Sequence, residues 1–60
     1  MKVKTLLKHL NTSVTPIEWI DKNGSQSLML QIPETWTVKM MWTTPDGWLH
    51  IRVSGDFNTL

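Results

Sequence analysis

The chain has 60 residues, a net charge of +1 and no cysteine. A chain of that length forms one domain around one small core, burying only roughly 60% of its unfolded surface. The lack of cysteine excludes disulfides and thiolate zinc sites and fits a reducing, cytoplasmic setting. The charge is split: residues 1–10 hold three lysines and no acid, whereas residues 11–60 hold three bases against five acids, a net of −2. That field is too weak to imply nucleic acid by itself.

Val3, Leu6, Leu7 and Leu10 recur at i, i+3, i+4 and i+7, which predicts a helix over about residues 3–10. A helix this short does not hold in water alone, so its apolar stripe must dock on something. The basic opening is like that of a signal peptide, but Lys8 and His9 interrupt the apolar run and no small-residue cleavage site follows. No stretch approaches the length of a membrane span.

From Thr15 onward the hydrophobic period becomes two. Strands are predicted over about residues 15–21, 26–32, 36–43 and 48–54, with a short tail over 55–60. Asn23-Gly24 reads as a two-residue hairpin loop, which places Trp19 opposite Leu28 and Ile17 opposite Leu30. Pro33-Glu34-Thr35 is the second turn, setting Leu30 against Val38 and Leu28 against Met40.

The last turn, Thr44-Pro45-Asp46-Gly47, contains a conflict. A three-residue Pro-Asp-Gly loop pairs Trp42 with His50 and Met41 with Ile51. A four-residue loop pairs Trp42 with Leu49, Met40 with Ile51 and Val38 with Val53. The second register matches apolar with apolar residues throughout and is the one expected, with a bulge near Thr44 where proline disfavours a helical conformation.

The expected fold is therefore α+β: a short N-terminal helix packed on a four-stranded antiparallel β-meander, in a single domain over residues 1–60. The core face would collect Ile17, Trp19, Leu28, Leu30, Ile32, Trp36, Val38, Met40, Trp42, Leu49, Ile51 and Val53. The outer face would carry Ile20, Met29, Lys39, Met41, Trp48, His50 and Arg52 among polar neighbours. An isoleucine, two methionines and a tryptophan gathered on one face suggest a contact surface, because methionine adapts to partners and Trp and Arg concentrate at interface hot spots.

Catalytic patterns are lacking. His9 and His50 lie on different elements without a zinc spacing, and there is no nucleophile elbow, phosphate loop or calcium loop. The expectation is a protein that is not an enzyme and has no cofactor or metal. The opening KVKTLLKHL, passing through IEWID into the Asn-Gly hairpin, resembles small accessory proteins of bacteriophages and related mobile elements over about the first 25 residues. That resemblance implies a cytoplasmic, non-enzymatic protein that acts by binding a host or phage protein.

Two functions follow as expectations. The leading one is a protein-interaction module that self-associates through the outer sheet face or an edge strand, using Trp48, Arg52, Lys39, Met41, His50, Met29 and Ile20. The alternative is a single-stranded nucleic-acid-binding protein, with Trp48 and Met41 as a stacking surface and Lys39, His50 and Arg52 around it.

Overall fold

A computed structural model of the chain describes residues 1–11, 14–28 and 31–60. Its elements are α1 (Val3–Leu7), β1 (Ile17–Ile20), β2 (Gln26–Ser27), β3 (Val38–Thr43) and β4 (Leu49–Val53), closed by a 3₁₀ turn at Phe57–Thr59. Among the described residues no helix is long and apolar enough to cross a membrane.

The class is α+β, but the sheet is mixed and not an antiparallel meander. Its strand order is β2-β1-β4-β3. Two antiparallel hairpins, β1–β2 and β3–β4, lie side by side and join through a parallel β1–β4 pair that matches Ile17 with Leu49, Trp19 with Ile51 and Ile20 with Arg52. Among the described residues β2 spans Gln26–Ser27, a short edge, and β3 pairs with β4 instead. β4 supplies the most deeply buried strand residues, Ile51 and Val53. A strand with that burial belongs in the centre of a sheet, where both its edges are satisfied, while the exposed β3 takes the rim.

Both hairpins close in the same way. In the first, the Asp21 amide donates to Ser25 O (3.0 Å) and the Gly24 amide to Asp21 O (3.1 Å), so the loop is Lys22-Asn23-Gly24. In the second, the Thr44 amide donates to Trp48 O (3.0 Å) and the Gly47 amide to Thr44 O (2.9 Å), so the loop is Pro45-Asp46-Gly47. Gly24 and Gly47 sit at φ 85° and 90°, the left-handed position that ends a three-residue hairpin loop.

The registers expected for the first and last hairpins therefore each move by one residue, and the expected pairing of residues 26–32 with β3 is replaced by the β1–β4 contact. Trp19 pairs with Ser27 and Ile20 with Gln26, so Leu28 is exposed and not core; Met29 and Leu30 lie outside the described residues. Trp42 pairs with His50 and Met41 with Ile51, which corrects the placement of Met40 and Trp42 in the core: they are 57% and 38% exposed. At the far end of the same hairpin Val38 nevertheless faces Val53, because the register shifts between Val38 and Met40. A bulge at Lys39, not at Thr44, lets the turn chemistry and the hydrophobic match both hold.

α1 is shorter than the stripe suggested, and its stability is tertiary. Val3 and Leu6 are buried against the sheet. The first helical amides find acceptors in the strap before β3, Val3 N–H on Trp36 O (2.8 Å) and Lys4 N–H on Glu34 O (3.0 Å). Residues at the start of the chain also run beside β3, with Lys2 bridging Thr37 and the Val38 amide donating to Met1 O. The core is Val3, Leu6, Trp19, Ile32, Ile51 and Val53, with Leu7, Leu10, Ile17, Val38 and Leu49 packed around it. Trp36 stacks on Phe57 at 6.3 Å between ring centroids, closing the end of the core.

Candidate functional site

Alternation along the central strands places Glu18, Ile20, His50 and Arg52 on the face opposite the core, and the three-residue loop adds Trp42 and Met40 from β3 to the same face. Two cross-strand rows result, Glu18–His50–Trp42 and Ile20–Arg52–Met40.

The first row is a stacked assembly. The His50 ring stacks on the Trp42 indole, centroids 5.4 Å apart and planes nearly parallel at 12°, and His50 Nδ1 lies 3.3 Å from Glu18 Oε1. The imidazole is thus held by a carboxylate on one side and an aromatic ring on the other, a fixed orientation for a largely covered side chain. Nothing in this row resembles a nucleophile and base. Among the described residues, no group of His, Asp and Glu side chains gathers where a metal ion could sit.

The second row leads to a cationic hollow of about 330 Å³ lined by Lys22, Lys39, Met40, Arg52, Val53 and Ser54. The bulge explains its makeup. In a regular strand Lys39 and Met40 would point to opposite faces; here Met40 pairs with Arg52, Lys39 is the extra residue beside it, and all three line the hollow. Lys22 arrives from the first hairpin loop, its amide tied to Gly55 O at 2.9 Å. None of the three cations makes an ion pair among the described residues.

The rim of the sheet is the third feature. The pair Thr44–Trp48 is hydrogen-bonded, so by antiparallel alternation Met41 and Thr43 turn their amides and carbonyls away from β4. The start of β3 is covered by the Lys2–Thr37 bridge, and no further bridge is made beyond it among the described residues. An open edge therefore runs from Lys39 to Thr43, all exposed, and it includes two methionines and a tryptophan.

The residues singled out from sequence divide accordingly. Ile20, His50 and Arg52 share the outer face, and Lys39 joins them through the bulge. Met41 is 41% exposed at the edge opposite Ile51. Trp48 is half-buried and lines a groove of about 790 Å³ with Thr15, Pro16, Ile17 and Trp19, away from the cationic hollow. Met29 lies outside the described residues. Sequence reasoning missed Trp42, Met40 and Lys22. The signal for the first was the Pro-Asp-Gly loop itself, whose three-residue closure sets Trp42 beside His50. No known protein family, no curated protein and no solved structure matches this chain.

Proposed function

We propose that this chain is a non-enzymatic interaction module that self-associates through the free edge of β3. The observation that carries the reading is the exposure of that edge: Met40, Met41 and Trp42 stand 57%, 41% and 38% open on a strand whose outward amides meet no further strand among the described residues. Such an edge is a template for another strand, and natural sheets usually blunt it with charge, proline or a cover. Among the described residues Lys39 and the N-terminal bridge do so here.

A second copy is the occupant that fits best. Pairing two β3 strands antiparallel about Met41 sets Met40 of one copy against Trp42 of the other and Lys39 against Thr43. No like charges meet, and the two outer faces become continuous. The single-stranded nucleic-acid reading has one observation in its favour, the Trp42–His50 stack beside Arg52, and it requires salt-sensitive oligonucleotide binding.

The test is size-exclusion chromatography with light scattering over a range of concentrations. The unmodified protein is expected to run as a dimer at the upper end. Met41→Lys sets two lysines directly opposite at the centre of the pair, and is expected to give a folded monomer. A monomer at every concentration, or a dimer unchanged by Met41→Lys, overturns the edge-pairing reading.

A further inference from the structure

We infer that the hollow between Lys22, Lys39 and Arg52 is a binding site for a single phosphate group carried on a small molecule. The three side chains are all the Lys and Arg residues present in residues 11–60, and three separate elements bring them to one concavity of about 330 Å³. Arg52 comes from central β4, Lys39 from the β3 bulge and Lys22 from the loop of the first hairpin.

Like charges placed together on a sheet destabilise it, and here none is offset by an ion pair among the described residues. The one carboxylate on β1 and β4, Glu18, faces His50 instead. An anion seated among the three exposed side chains would offset that repulsion. Ser54 on the rim supplies a hydroxyl, and its Oγ already accepts the Thr37 amide at 3.0 Å, which leaves its proton available to a ligand oxygen. Arg52 offers the planar fork that matches a phosphate, with the two lysines as point charges beside it.

The chemistry favours a compact phosphate over a polyanionic strand. The cations converge on one hollow and do not form a stripe, and the chain's net charge of +1 gives a long backbone little general attraction. The backbone geometry of the site is set by the bulge and by the Lys22 amide bond to Gly55 O, not by the ligand. The inference stands apart from edge pairing, which leaves this face of the sheet open.

The test titrates phenyl phosphate, a small monophosphate, into the protein at low ionic strength, followed by calorimetry and by amide chemical shifts. Saturable binding is expected, with shifts centred on Lys22, Lys39 and Arg52. Arg52→Gln and Lys39→Gln should each weaken it about tenfold, the loss of one charge-assisted contact. Lys8→Gln, an exposed lysine just past the end of α1, should leave it unchanged. Circular dichroism of each variant confirms that the fold persists. An absence of saturable binding overturns the inference, as does equal weakening by Lys8→Gln or no weakening by Arg52→Gln. In a parallel arm, an oligothymidine of about ten nucleotides is titrated. Binding of the oligonucleotide without binding of phenyl phosphate overturns the small-molecule assignment and favours the nucleic-acid reading.

Discussion

Asp21 is a fully buried carboxylate that organises two distant segments. Its Oδ1 accepts the amides of Asn23 and Ser25, both at 2.9 Å, and its Oδ2 accepts the amide of Phe57 at 3.0 Å. Burial on its own would raise its pKa, but the amides of Phe57, Ser25, Asn23 and Gly24 together outweigh it and hold the group below the ordinary carboxylate value. A carboxylate whose folded pKa is depressed contributes stability that is fully present above its unfolded value, about 3.9, and lost as pH falls through the folded one. Urea denaturation at pH 7 and pH 3 should therefore show a fall in stability on acidification. Asp21→Asn should be less stable than the unmodified protein at pH 7 and lose much less on acidification. Equal acid sensitivity in the two proteins would remove Asp21 from this role.

Gly55 matters for a different reason. Its backbone lies directly under the Trp36 indole, and a Cβ there would fall inside the van der Waals surface of the ring. Gly55→Ala must displace the tryptophan from its stack on Phe57. The expected cost is about 1–3 kcal/mol, the range for overpacking, together with a changed near-ultraviolet tryptophan signal. An unchanged signal and melting temperature would mean that the ring yields freely.

At the scale of elements, the two hairpins share one construction. Each is a three-residue loop ending in a left-handed glycine, and each is supported by an aspartate, Asp21 in one and Asp46 in the other. Thr44 Oγ1 donates to Asp46 Oδ1, and chiefly for that reason the Asp46 carboxyl is also held below its ordinary value, against the opposing effect of partial burial. An added methyl at Gly24 or Gly47 would meet nothing within 4 Å, so the demand for glycine is purely conformational. Gly47→Ala is expected to cost about 1–2 kcal/mol, the penalty for an L-residue in that region. Gly47→Asn should cost less, since asparagine tolerates the left-handed region better. Chemical denaturation of the two variants checks the order.

The bulge at Lys39 belongs to this scale as well. Turn geometry demands that Met41 face Ile51, and packing demands that Val38 face Val53; one extra residue between them satisfies both. The alternation of apolar residues was legible in the sequence, and both candidate registers were visible in it. The resolution was not, because a ladder of side-chain matches assumes one register along the whole strand.

For the whole molecule, the parallel contact between β1 and β4 is the deciding feature. It places Trp19 beside Ile51 at the centre of the core and leaves β3 at the rim. A domain this small gains from any further burial, so pairing of two β3 edges should couple to stability. The melting temperature of the unmodified protein is expected to rise with protein concentration, and that of Met41→Lys to stay constant. A melting temperature independent of concentration in both proteins would argue against coupled association.

The sequence by itself determined the helix stripe at Val3 and Leu6, the two glycine turns, and the inward set Ile17, Trp19, Ile32, Ile51 and Val53, because periodicity and turn chemistry are local properties. Only the tertiary structure decided that β4 lies parallel to β1, that Met40 and Trp42 face outward, and that Lys22, Lys39 and Arg52 meet. Those outcomes depend on which strand the core needs at its centre and on where a single extra residue is absorbed. Both are settled by burial summed over the whole sheet, which no local window of residues contains.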